Sequence, residues 1–168
     1  MDQEVIRYES WDALLDYCAL SANPVGRLVL MMLGEPRTDE YFGPSDSICT
    51  ALQLTNHWQD VGRDLLERDR IYIPGELIDH PRFESELRRS AEQGWASDPS
   101  FLEASRRTIR TCVDRTWPLY EAGDALLDRL SPHSRPLVGL FREGGMHVLR
   151  MVEVWNHETV LHRPKLGR

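Results

Sequence analysis

The chain has 168 residues, 41% hydrophobic and 28% charged, proportions of a folded domain rather than a disordered one. Its formal charge of −7 argues against a general nucleic-acid binder, and its longest apolar run, the six residues 28–33, is far too short to span a membrane. The opening Met1-Asp2-Gln3-Glu4 has neither the basic nor the apolar region of a signal peptide, so the chain reads as one domain over 1–168 in a soluble, cytoplasmic setting.

The apolar spacing is helical nearly throughout and predicts an all-α fold. A first helix spans about 9–33 after Ser10 as N-cap, with Trp11, Leu14, Leu15 and Cys18 on one face and a kink at Pro24. Residues 34–44, rich in Gly, Pro and charge, read as a loop. A second helix runs from Ser45 to about Glu67, and Arg70 to Gly75 is a short extended segment ending in a turn. A short amphipathic helix covers 81–93, followed by a break at 94–97. A long helix covers 99–130, bent at Pro118. A turn at 131–136 leads to a last helix over about 135–161. Cys18, Cys49 and Cys112 form no CxxC pair, which suits a reducing compartment. The six histidines show no HExxH, so histidine-based metal chemistry is not expected.

The second helix carries an unusual face. Gln53, Asn56, Asp60 and Asp64 fall within an arc of about 80° at 100° per residue. Two amides and two carboxylates thus form one stripe flanked by Ile48, Leu52 and Val61. Two ionised carboxylates one turn apart repel each other, and a hard cation relieves that. Mg²⁺ takes one or two carboxylates and completes its shell with waters and phosphate oxygens. The same pattern would also serve as a solvated helix face. Arg63 and Arg70 stand where they could meet a phosphate, or pair with Asp64 and Glu67. On the first helix, small residues at 19, 21, 22 and 26 allow close approach of a helix or ligand. Tyr17 there reads equally as a core tyrosine with one wet end.

Three segments in order, Tyr17-Cys-(x)4-Asn-Pro-Val-Gly-Arg27, Ala51-Leu-Gln-Leu-Thr-Asn56-(x)3-Asp60-Val-Gly-(x)-Asp64, and Arg70-Ile-Tyr-Ile-Pro74, resemble the squalene/phytoene synthase family. Ser21-Ala-Asn-Pro-Val-Gly-Arg27 and the closing Val160-Leu-His-Arg-Pro-Lys-Leu166 look most like its bacterial hydroxysqualene synthase branch. The likeness extends over residues 8–166. It implies an isoprenoid synthase fold and head-to-head prenyl diphosphate chemistry. The substrates would be farnesyl diphosphate or presqualene diphosphate, with Mg²⁺ as cofactor. In that reading Asp60 and Asp64 bind the metal, while Gln53 and Asn56 line the same cavity. Arg27, Arg63, Arg70 and Tyr72 serve the diphosphate. Tyr17 faces the reacting carbons, and Asn23, a departure from the family's usual glycine, positions water.

One feature of the family has no counterpart. Its first aspartate-rich motif precedes the tyrosine helix, and Asp2 and Glu4 do not match it. Asp12 and Asp16, although four apart, lie on the tyrosine helix itself. The expectation is an N-terminal part of the domain missing and a broad apolar groove left open. A second copy or a separate N-terminal half would cover it. Greasy products would favour peripheral membrane contact. A relative that binds prenyl diphosphate or a partner without catalysis is the alternative.

Overall fold

The computed structural model describes residues 7–164; Asp2, Glu4, Lys165 and Leu166 lie outside it. Among the described residues it is helical, with a lone parallel bridge between Arg7 and Ile71 as its β-structure. The helices are α1 (Trp11–Ser21), α2 (Asn23–Met32), α3 (Asp39–Gln59), α4 (Val61–Arg68), α5 (Phe83–Gln93), α6 (Pro99–Ala122), α7 (Asp124–Arg129) and α8 (Arg135–Val154), with a 3-10 turn at Gly75–Leu77.

Several boundaries differ from the predicted ones, each for a local reason. Ser10 does cap α1, accepting from the Ala13 N–H at 3.2 Å. The expected kink at Pro24 is a full break at Ala22, because a proline fits the first turn of a new helix. The loop expected over 34–44 ends at Thr38. Asp39 and Glu40 favour the positive end of α3, and the carbonyl orphaned by Pro44 belongs to exposed Glu40. Pro118 likewise sits inside α6, above exposed Asp114, and the helix breaks later, at Gly123. The predicted helix 45–67 is two helices that part at Asp60. The last helix stops at Val154 rather than Leu161, since Asn156 and His157 take left-handed backbone at φ 53° and 60°.

α3 is the central element, packed by α1, α2, α6, α7 and α8. The main core gathers Trp58, Leu54, Phe101, Leu65 and Tyr120, all fully buried. Its largest buried rings pair their polar atoms: Tyr120 Oη lies 2.9 Å from Thr55 Oγ1, and Trp58 Nε1 donates to Thr116 Oγ1 at 2.9 Å. A smaller core holds Leu30, Ile48, Leu126, Leu130 and Val138. α8 approaches α3 closely at Gly145, where an added Cβ would lie 2.3 Å from both Tyr120 Oη and Leu52 Cδ2. Gly145→Ala is therefore expected to cost about 1–3 kcal/mol by overpacking, read from the urea midpoint of unfolding.

The α2 and α8 side of the molecule is open and greasy. Leu20, Val25, Leu28 and Met32 are exposed on α1 and α2, and Leu140 and Phe141 on α8. Between them lies a cavity of about 180 Å³, lined by Val25, Leu30, Ile48, Leu52, Val138 and Phe141 among others.

Candidate functional site

Asp60 sits at the junction of α3 and α4 with φ −109° and ψ 17°. The hydrogen-bond ladder survives the break: Asp60 N–H reaches the Asn56 carbonyl at 3.0 Å, and Asp64 N–H reaches that of Asp60 at 2.8 Å. The two carboxylates therefore stay neighbours. Both are buried, at 5% and 4% exposure. Arg63 ties them together, its Nη2 lying 2.6 Å from Asp60 Oδ2 and 3.4 Å from Asp64 Oδ1. Arg68 adds a longer contact to Asp64 at 3.7 Å. Arg163 binds Asp60 from far along the chain, donating from Nε to Oδ1, with Nη2 3.4 Å from Oδ2. Burial, with the charge of Asp60 added, raises the Asp64 carboxyl above its ordinary range, against the pull of Arg63 and Arg68.

A second group lies beside this pair. Tyr72 stacks on His57 with ring centroids 3.6 Å apart, and on Tyr17 and Tyr8 at 5.9 and 5.7 Å. Tyr17 stands 6.0 Å from His57. Arg70 Nη1 donates to Tyr72 Oη at 3.2 Å. Burial, reinforced by the charges of Arg68 and Arg70, pushes His57 down to about 3, so its ring is neutral near pH 7. Neutral, electron-rich rings make a surface able to face a cation, while the arginines at its rim suit an anion.

The structure thus brings Asp60, Asp64 and Arg63 into one cluster, and Tyr17, Tyr72 and Arg70 into another next to it. Gln53 is half-buried on α3 and Asn56 is exposed one turn before Asp60. Asn23, at the start of α2, is held against α3, where Thr50 Oγ1 donates to its Oδ1 at 3.0 Å. Arg27 is not brought to the carboxylates. It pairs with Asp46 and lies 5.3 Å over the Phe42 ring, about 20 Å from Asp60 at 1.5 Å of rise per residue along α3. Sequence reasoning missed His57, Tyr8, Arg68 and Arg163. His57 lies at core spacing from Leu54 and Trp58, and that was the one signal available for it.

Asp60 and Asp64 are the residues here that could hold an ion. Among the described residues no three His, Cys, Asp or Glu side chains gather to hold a metal. Two carboxylates with phosphate-seeking arginines beside them match a hard ion that keeps waters and shares a phosphate, as Mg²⁺ does. They do not match a closed nitrogen–sulfur site.

The squalene/phytoene synthase family model matches residues 1–168. The hydroxysqualene synthase of Zymomonas mobilis is 50% identical over 78 residues, 46% of this chain and 26% of that protein. The phytoene synthase of Thermus thermophilus is 35% identical over 98 residues, 57% of this chain and 33% of that protein. The fold is similar to the crystal structure of squalene synthase HpnC from Alicyclobacillus acidocaldarius, at a TM-score of 0.76 and 34% identity. That match covers 93% of this chain and 56% of the solved one. The architecture is accordingly the isoprenoid synthase fold, and the chain spans just over half of that solved relative.

Proposed function

The chain belongs to the squalene/phytoene synthase family, and on that premise we propose that it carries the diphosphate-binding half of a head-to-head prenyl synthase. The reaction assigned to it is loss of pyrophosphate from presqualene diphosphate and capture of the rearranged cation by water, giving hydroxysqualene. The observation that carries this reading is the buried Asp60–Asp64 pair joined to the Tyr17–Tyr72–His57 stack through Arg70, whose N–H reaches the Asp64 carbonyl and whose Nη1 donates to Tyr72 Oη.

Asp60 and Asp64 would hold Mg²⁺, whose charge, when bound, stabilises the departing diphosphate. Arg63 and Arg70 offer forked donors to phosphate oxygens, with Arg70 already steadied on Tyr72 Oη. Gln53 and Asn56 extend the polar strip on which water and diphosphate settle. As the carbon–oxygen bond breaks, the positive carbon forms beside Tyr17, whose face stabilises it without donating electrons to a bond, while Tyr72 steadies Arg70 at the diphosphate end. The cation then rearranges, water adds to the rearranged cation, and the proton it gives up passes to the released pyrophosphate. Asn23, oriented by Thr50, is assigned to place that water. The cavity between α2, α3 and α8 takes the hydrocarbon tail and keeps other water away.

The exposed apolar residues of α2 and α8 favour a second reading. With Met32 79% and Leu140 68% exposed, this face needs cover from a second copy or an N-terminal half, and until covered the chain binds diphosphate without turning it over. Such a face and such products also favour peripheral contact with a membrane; no described helix is long and apolar enough to cross one. Calorimetric titration with a non-hydrolysable farnesyl thiodiphosphate tests the core of both readings. Binding is expected with Mg²⁺ and at least about 100-fold weaker with EDTA, about 2.7 kcal/mol. Equal heats in the two buffers would remove the metal from the reading.

A further inference from the structure

After α8 the chain does not leave the molecule. Residues 155–164 turn through the left-handed Asn156 and His157 and run back across the α3–α4 junction. Glu158 pairs with Arg106, and Thr159, Val160 and Pro164 are buried. The Val160 carbonyl passes so close to Gly62 that an added Cβ there would lie 2.8 Å from it. Gln59 Nε2 donates to the Pro164 carbonyl at 2.5 Å. Between these anchors the strap delivers Arg163 to Asp60.

That contact has a consequence for charge. Asp60, Asp64 and the adjoining Glu67 carry three negative charges, and Arg63, Arg68 and Arg163 return three positive ones. Both oxygens of Asp60 are already taken, Oδ1 by Arg163 Nε and Oδ2 by Arg63 and Arg163 Nη2. A divalent cation approaching this cluster meets no net attraction and no free oxygen on Asp60. Arg63 is part of α4 and moves with the site. Arg163 hangs on an irregular segment, and its side chain is 40% exposed. Arg63 is about as exposed, at 35%, so it is the irregular backbone carrying Arg163 that makes its contact the displaceable one.

We propose that Arg163 is a displaceable stopper on Asp60, and that the 155–164 strap must loosen before a divalent cation can share Asp60 with Asp64. This rests on the assignment of those two carboxylates to the metal. It adds a built-in gate that sets the metal affinity of the free chain. Removing the guanidinium leaves the cluster with one net negative charge and exposes Asp60 Oδ1.

The test uses the full chain and Mn²⁺ alone, followed by electron paramagnetic resonance, with hydrogen exchange of residues 158–164 as a second readout. Arg163→Gln is expected to bind Mn²⁺ about tenfold more tightly than the parent. In the parent, saturating Mn²⁺ is expected to speed exchange in 158–164. In Arg163→Gln that segment exchanges fast already and responds little. Asp60→Asn serves as the control for the site itself. Mn²⁺ bound equally well, or less well, by Arg163→Gln than by a parent that loses the ion on Asp60→Asn would overturn the stopper and leave the metal pair standing. No Mn²⁺ binding by any of the three chains would overturn both. Unchanged exchange in 158–164 on metal binding would also sink the gate.

Discussion

Asp60→Asn and Asp64→Asn are each expected to weaken Mg²⁺-dependent binding of a farnesyl thiodiphosphate at least about 100-fold, about 2.7 kcal/mol, with helix content unchanged. The reason lies in what holds the pair. Each carboxylate is buried, and the Asp64 carboxyl is raised by that burial and by the neighbouring charge of Asp60. Two such groups stay ionised together only when cations are close. Arginines meet that need in the free chain, and the metal takes the place of Arg163 when diphosphate arrives. Removing either carboxylate leaves one anionic ligand, which holds a hydrated Mg²⁺ weakly. The amide keeps the volume, and Arg163 can turn its charge to water, so the fold should not suffer. Calorimetry on the three chains in matched buffer reads the effect. Heats from either variant equal to those of the parent would show that the carboxylates are not metal ligands.

Where local pattern governs, the fold was legible. Leu14, Cys18, Leu54, Trp58 and Leu65 recur at helical spacing and are buried as that spacing demands. The Asp60–Asp64 pair could be found for the same reason, since one turn of helix separates its members. The break at Asp60 could not, because Gln59-Asp60-Val61 contains neither glycine nor proline. There an aspartate simply occupies the position between two helices that share a hydrogen-bond ladder. Pro44 and Pro118 misled in the other direction, since each orphans a carbonyl on an exposed turn that water can serve. The contacts of Arg163 and His57 were beyond reach. One joins residues 103 positions apart, and the other stacks an imidazole across the loop that carries Tyr72. The stop of α8 did have a signal: Asn156 is a residue that tolerates left-handed backbone and so ends helices.

His57→Phe is expected to flatten the acid side of the stability curve. His57 is buried, its Nε2 has no hydrogen-bond partner, and its ring is pressed on Tyr72. Protonating it would put an unpaired charge among aromatic rings, next to Arg68 and Arg70. Its folded-state value of about 3 lies below the ordinary 6.5, so the unfolded chain takes up this proton first. The stability it confers is therefore fully present above pH 6.5 and is lost as the pH falls from there toward 3. The whole shift corresponds to about 4–5 kcal/mol at most, and the portion between pH 7 and 5.5 to about 1.3 kcal/mol. That upper window is the informative one. Glu35, Asp69, Glu84 and Asp98 have lowered carboxyls whose stabilisation is lost only at more acid pH. His157, also lowered by burial, contributes in the same window and is left unchanged in both chains. Urea unfolding of parent and variant at pH 7, 6.25 and 5.5 isolates His57 as the difference between the two slopes. Phenylalanine keeps the stack on Tyr72 and drops the proton, so any constant offset in stability reports packing alone. Parallel curves would mean that the unfolded and folded chains protonate His57 alike, and the neutral ring beside Tyr17 and Tyr72 would have to be abandoned.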